Sequence, residues 1–400
     1  MSTIKQGYKQ TKVGIIPEDW EVIKLGSVLN EKPKYGINAP AVEYSDELPT
    51  YLRITDIDTN GHFNPDKKAS VDDKGYKSFI LKENEIVFAR TGATVGKSYL
   101  YDKNDGELVY AGFLIKVAPN TKKLHSIFLR NFTDTHKYWN WIQLMSARSG
   151  QPGVNGEEYS IMPIPLPPLK EQEKIAEILT TWDEAITKQT ELLRAKELLK
   201  IALMQKLLSG EVRFSGFSDE WEEVRIKDIF EITRGYVLAV TEMSQEQTTE
   251  YKYPVYSSQT KNNGLTGYYK DYLFENCITW TTDGANAGDV NLRKGKFYCT
   301  NVCGVLKSDK GYANQCIAEI LNRITKNYVS YVGNPKLMNN TMGGIKIKIP
   351  KSLPEQQKIA EVLSLADDEI NLLKNELQEL KQQKKALMQK LLTGEVRVKV

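Results

Sequence analysis

A gap-free internal repeat constrains this chain more than any other feature. Residues 169–213, LKEQEKIAEILTTWDEAITKQTELLRAKELLKIALMQKLLSGEVR, match residues 353–397, LPEQQKIAEVLSLADDEINLLKNELQELKQQKKALMQKLLTGEVR, at a constant offset of 184. The identities gather at the two ends, EQxKIAExL and ALMQKLLxGEVR. A shorter pairing precedes each block: DWEVIKLGSVL from Asp19 and EWEEVRIKDIF from Glu220. The chain therefore reads head–helix–head–helix.

Each repeated block predicts one long helix. Pro163, Pro165, Pro167 and Pro168, and later Pro350 and Pro354, close the preceding segments, while Gly210 and Gly394 follow the last apolar positions. In the second block Ile359, Leu363, Ala366, Ile370, Leu373, Leu377, Leu380, Lys384, Leu387 and Leu391 alternate by four and three, a coiled-coil seam. The equivalent first seam, from Ile175 and Leu179 to Leu203 and Leu207, is more polar in its middle. Nearly 40 residues at 1.5 Å each span about 58 Å, longer than packing on one head requires. Short linkers then predict that the second helix runs back antiparallel to the first, with the heads related by a pseudo-two-fold axis. Such a pair of heads suits a ligand with periodic sites, and duplex DNA is the common one.

The predicted fold is thus two mixed α/β heads with an antiparallel, coiled-coil-like helix pair. Its divisions are a first recognition domain over 1–165, a central helix over 166–212, a second recognition domain over 213–350 and a C-terminal helix over 351–400. Strand-like runs occur at Tyr51–Ile57, Glu85–Arg90, Ser98–Tyr101 and Leu114–Val117, then at Cys277–Thr282, Phe297–Cys299 and Val302–Leu306. Helices are predicted over Ser126–Ser146 and Tyr312–Ser330.

The heads share a loop: Thr91-Gly-Ala-Thr-Val-Gly-Lys97 and Asp283-Gly-Ala-Asn-Ala-Gly-Asp289. The first approaches a phosphate-binding P-loop but has three residues between its glycines instead of four. A strand-like SYLYD follows it where a P-loop must open a helix. No GxGxxG turn or Asn-Pro-Pro-aromatic set is present, so no S-adenosylmethionine pocket or amino-methyltransferase centre is read in this chain. His62, His125 and His136 stand far from Cys277, Cys299, Cys303 and Cys316, which argues against zinc and for reduced thiols.

Polar loops rich in glycine and aromatics supply the candidate DNA contacts. In the first head these are Arg90, Thr91, Lys97, Arg148, Gln151 and Asn155. In the second they are Ser258, Gln259, Lys261, Asn262, Asn263, Thr282, Asn286, Lys336, Asn339 and Asn340. Arg, Asn and Gln can pair with guanine and adenine edges, while Lys and Ser suit phosphates. A net charge of only +3 requires any basic surface to be local. No apolar run of 18 residues and no apolar N-terminal core occur, which predicts a cytoplasmic protein without a membrane span.

On these motifs the chain resembles the specificity subunit of Type I restriction–modification systems. The resemblance covers nearly its whole length, is most specific in the two helical repeats and loose in the heads. It implies that each head reads one half of a bipartite, asymmetric double-stranded DNA site. The helices would set the gap and dock two methyltransferase (modification) subunits, with motor–nuclease (restriction) subunits joining for cleavage. It carries partner-docking and spacer roles onto Glu171, Gln172, Ile175, Leu179, Leu203 and Leu207, and onto Glu355, Gln356, Ile359, Leu363, Leu387 and Leu391. No catalytic residue and no metal or cofactor would belong to this chain; S-adenosylmethionine, ATP and Mg would sit on the partners. Two other readings stay open: a specificity subunit of a Type II-like methyltransferase without a motor, and a coiled-coil scaffold whose heads bind proteins.

Overall fold

The computed structural model describes residues 4–147, 151–258 and 261–400. Each repeated block is a single helix, Leu169–Leu207 and Leu353–Leu392. Gly210 and Gly394 follow them at φ +74°, left-handed backbone that glycine adopts without penalty. The chain packs as two compact units, one of Met1–Gln189 with Glu376–Val400 and one of Thr190–Asn375. Each unit holds one head, the start of the long helix that follows it and the end of the other long helix.

In the first unit one four-stranded sheet runs Lys34–Tyr35, Leu114–Val117, Ile86–Ala89, Ser98–Leu100. A second runs Leu108–Tyr110, Thr50–Leu52, Ala69–Val71, Ala41–Glu43. Strand Glu21–Lys24 pairs antiparallel with Pro163–Leu166, delivering the chain to the first long helix. The second unit repeats that exit with Glu222–Arg225 against Lys346–Ile349, alongside a six-stranded sheet. In that sheet Phe274–Thr281 lies between Cys303–Lys307 and Val290–Cys299.

Packing explains where the repeat is most alike. Ile175 and Leu179, from the start of the first helix, enter a core with Trp20, Phe88, Phe128 and Tyr159; Met388, Leu391 and Leu392, from the end of the second, enter the same core. In the second unit Ile359 and Leu363 meet Leu207 and Leu208 around Phe230, Trp280 and Leu321. The start motif and the end motif are thus two halves of one contact, made once per unit.

Polar side chains complete that contact. The Arg397 guanidinium donates from Nε and Nη2 to the buried Glu171 carboxylate at 2.6 and 2.8 Å, and from Nη1 and Nη2 to Asp19 at 2.9 and 2.8 Å. Its repeat partner Arg213 donates to the buried Glu355 at 2.8 and 2.7 Å. Such two-pronged bonds are the strong form of the ion pair. Gln172 accepts from His125 N–H at 2.8 Å and donates to the carbonyls of Lys123 and Pro167 at 3.0 and 2.9 Å. Gln356 accepts from Asn314 at 2.9 Å and donates to Pro350 at 2.8 Å. Further along the helices, Lys384 pairs with Asp183 at 2.5 Å in the first unit and Lys200 with Asp367 at 2.6 Å in the second. Those four residues are the repeat's charged identities away from its ends.

The two clasps differ in one respect. The Trp20 indole N–H donates to Glu171 at 3.0 Å, whereas the buried Trp221 N–H has no partner among the described residues. Arg397→Ala should therefore strand Glu171, which is 1 % exposed, with only the indole donor. Removing one partner of a buried pair costs about 3–5 kcal/mol; with Arg397 itself 37 % exposed, about 2 kcal/mol is expected in thermal unfolding. Arg397 holds the Asp19 carboxyl below its ordinary value of 3.8, chiefly by hydrogen bonding. Because the folded pKa is depressed, that part of the stability is present above the ordinary value and is lost as pH falls through the lowered one. The gap between wild type and Arg397→Ala should narrow below pH 3.8.

Three predicted elements come out differently. The helix expected over Ser126–Ser146 is two, Ser126–Phe132 and His136–Ser146. Thr133 turns its hydroxyl back to Arg130 O at 2.6 Å, and Thr135 caps the second helix by accepting from Tyr138 N–H at 3.3 Å. The helix expected over Tyr312–Ser330 is Gln315–Ile324 followed by a 3₁₀ turn, Thr325–Tyr328. The strand expected over Tyr51–Ile57 ends at Leu52, where Arg53 folds onto Asp56 with Nε···Oδ2 2.8 Å and Nη2···Oδ1 2.8 Å.

Candidate nucleic-acid interface

In both heads the shared glycine loop is held against a second loop that the sequence singled out separately. In the first head Gly92 N–H donates to Pro152 O at 3.0 Å, Val154 N–H to Arg90 O at 2.9 Å, and Thr91 bridges to Gly153. In the second, Gly284 N–H donates to Pro335 O at 3.0 Å and Asp283 bridges to Lys336. Gly96 and Gly288 lie at φ +87° and +89°, and their carbonyls accept from Tyr138 Oη and Thr325 Oγ1, each at 2.6 Å. The loops are fixed from beneath, which is how a recognition surface keeps its shape.

The loop after Thr91 makes a 3₁₀ turn at Gly92–Thr94 and enters strand Ser98–Leu100, so the local structure differs from that of a P-loop. Arg90 stacks on Tyr35, its guanidinium carbon 4.9 Å from the ring centre, and Tyr35 Oη accepts from Gly156 N–H at 3.1 Å. Gln151 is exposed beside Gly92, and Thr91 is half-buried. In the second head Lys261, Asn262, Lys336 and Asn340 are exposed, as is Asn263, while Asn339 and Ser258 are half-buried. Asn262 and Asn263 are consecutive left-handed residues, φ 50° and 52°, a conformation asparagine tolerates better than most. Asp283 and Asp289, which replace Thr91 and Lys97, face Lys336 at 3.9 Å and Lys326 at 2.9 Å. Their charge is balanced within the loops.

Several candidates are committed elsewhere. Thr282 is buried and donates to Asp283 at 2.6 Å, leaving no edge for a base. Asn155 caps helix Gly156–Ser160, accepting from Glu158 N–H at 2.9 Å. Asn286 donates to Ser258 O at 2.8 Å, tying two loops together, and Lys97 donates to Ile57 O at 3.3 Å. Arg148 and Gln259 lie outside the described residues. The residues assigned to partner docking need a larger correction. Glu171, Gln172, Ile175, Leu179, Leu207, Glu355, Gln356, Ile359, Leu363 and Leu391 are buried within their own units, and Leu203 and Leu387 are half-buried. Within each unit they join helix to head, and the buried ones present no surface there for a second chain.

Exposed aromatics were missed. Phe113 is 58 % exposed, and its carbonyl accepts from Arg90 N–H at 3.1 Å. In the second head Tyr236 and Tyr331 are more exposed still. A lone exposed aromatic carries no periodic signal, although its neighbour Arg90 was the available hint.

No helix among the described residues is long and apolar enough to cross a membrane. The four cysteines are buried and free. A family model described as the Type I restriction modification DNA specificity domain matches residues 17–195 and again 218–382. A putative type I restriction enzyme specificity subunit of Methanocaldococcus jannaschii, MjaX, is 26% identical over 99% of this chain and 98% of its own length. A putative type I specificity subunit of Mycoplasma pneumoniae is 36% identical over 50% of this chain and 82% of its own. The crystal structure of a Type I restriction–modification S subunit from M. genitalium superposes with a TM-score of 0.65 at 19% identity, covering 93% of this chain and 96% of that one. With one family match over each head and the start of its long helix, this chain belongs to the Type I restriction–modification DNA-specificity family, the non-catalytic subunits that select the DNA sequence.

Proposed function

We propose that each head reads one half of a bipartite, asymmetric site in double-stranded DNA, and that the long helices fix the spacing as an antiparallel pair under pseudo-two-fold symmetry. One observation carries this reading: the same two loops meet at equivalent places in both heads, through Thr91 with Gly153 and Asp283 with Lys336. Around them stand side chains suited to base edges and phosphates, and aromatics suited to stacking. Two modification subunits, carrying S-adenosylmethionine, would dock on the helices, with ATP and Mg on restriction subunits. The docking face is better sought where the helices are bare. Leu198, Leu199 and Ile201 on the first, and Leu365 and Leu372 on the second, are all more than half exposed in the second unit.

The test is an exchange of one head. Replacing residues 219–350 with the equivalent segment of a relative, and sequencing the methylome of cells that also make the modification subunit, should change one half-site and leave the other intact. A change in both halves together refutes independent reading. Failure of the full chain to bind duplex DNA at low salt refutes the interface itself, since phosphate contacts release counterions and strengthen as salt falls.

A further inference from the structure

The second unit contains a polar cavity of about 300 Å³, walled in part by Ser257, Asn263, Asn291, Arg293, Asn322 and Lys326. Arg293, on strand Val290–Cys299, is only 6 % exposed. Its Nε donates to Thr279 Oγ1 at 3.0 Å, and its guanidinium carbon lies 3.7 Å from the Tyr256 ring centre. Among the described residues no carboxylate comes within ion-pair distance of it. Asp289, the acid in the wall, is already held by Lys326 at 2.9 Å. A guanidinium has five donors, and one hydroxyl and one ring face do not offset the cost of burying its charge. Burial accordingly lowers its pKa. The Cys303 thiol, which donates to Tyr256 O at 3.8 Å, has its pKa lowered chiefly by the neighbouring Cys299, so a thiolate there is the alternative counter-charge. Several of the remaining walls can donate. Asn322 has its carbonyl oxygen engaged by Val290 N–H at 3.1 Å, which leaves the amide N–H groups for the cavity.

We propose that this cavity binds a phosphate group, with Arg293 as its charged wall and the asparagine amides as further donors. The ligand is either a backbone phosphate of DNA or a free phosphate such as that of a nucleotide. Only the first source rests on the DNA-reading role proposed above. Asn263 and Ser257 place the cavity beside the loop that carries Ser258, Lys261 and Asn262.

Inorganic phosphate is the probe, titrated into the full chain and followed by its phosphorus resonance. Wild type should bind saturably, Arg293→Gln at least tenfold more weakly, and Cys303→Ala like wild type. No saturable binding by wild type overturns the proposal, as does loss in Cys303→Ala with retention in Arg293→Gln. If Arg293→Gln shows no cooperative unfolding, Lys326→Met substitutes for it and should weaken binding severalfold; unchanged binding then overturns the proposal. Duplex DNA carrying the recognised sequence separates the sources. Release of phosphate, with a salt slope lower by about 0.9 in Arg293→Gln, identifies a backbone phosphate. Phosphate retained beside bound DNA identifies a free one. A chain that binds phosphate but no DNA keeps this site and removes the DNA-reading role.

Discussion

Four residues inserted into both long helices, after Gln189 and after Asn375, should lengthen the methylated spacer by one or two base pairs and end methylation of the original site. Four residues add about 6 Å of helix, against roughly 3.4 Å per base pair. They turn the chain by about 40° beyond one full turn, so each half-site sequence should persist. The insertion must be made in both helices. In the first unit Gln189 donates to Glu376 at 2.9 Å, and in the second Lys196 pairs with Glu369 at 2.6 Å. The intervals Gln189–Lys196 and Glu369–Glu376 are of equal length. Lengthening one alone leaves a mismatch of about 6 Å that must break one set of contacts. The single-helix insertion should therefore lower stability and abolish methylation. If the doubly inserted chain still methylates only the original spacing, the helices are not the ruler.

Gly304→Ala should be a severely damaging small substitution in the second unit. A Cβ there would lie 2.1 to 2.4 Å from three atoms of the Trp280 ring, which is almost completely buried. Something must shift, and an indole locked in a core shifts at a cost of about 1–3 kcal/mol or more. Trp280 also donates its N–H to Leu337 O at 2.9 Å. Losing that bond leaves a buried polar pair unsatisfied, about 1–3 kcal/mol again. We expect a loss of about 4 kcal/mol in denaturant unfolding, the sum of the two mid-range costs. Leu337 follows Lys336 in the candidate loop, so DNA binding should fall even where folding survives. Gly344→Ala is the control, since nothing lies within 4 Å of its added carbon. Equal effects at both positions would show that the ring contact is not what matters.

The long helices were legible because two independent signals agreed on them, a seven-residue apolar seam and proline and glycine at the ends. What the repeat left open was why its ends are most alike. Glu171 and Arg397 are 226 residues apart, and only the fold shows that they touch. Buried polar residues such as Gln172 and Glu355 look the same in sequence as exposed docking residues, which is why a partner chain was the natural assignment for them. The recognition loops were located by composition, and their pairing within each head was not foreseen. Thr282 and Asn155 were misplaced for a related reason. A short polar side chain beside a glycine turn serves either a ligand or its own backbone, and spacing does not separate the two.

The core shared by Trp20, Ile175, Met388 and Leu391 also governs how the protein is made. At 5–20 residues per second, roughly 10–40 s of synthesis separate the emergence of the first head from that of the helix segment that closes its core. Throughout that interval the first head has a greasy face without its cover. A chain that stops before residue 376 leaves that core without Met388, Leu391 and Leu392, so a sequence reader is completed only when its whole message has been read.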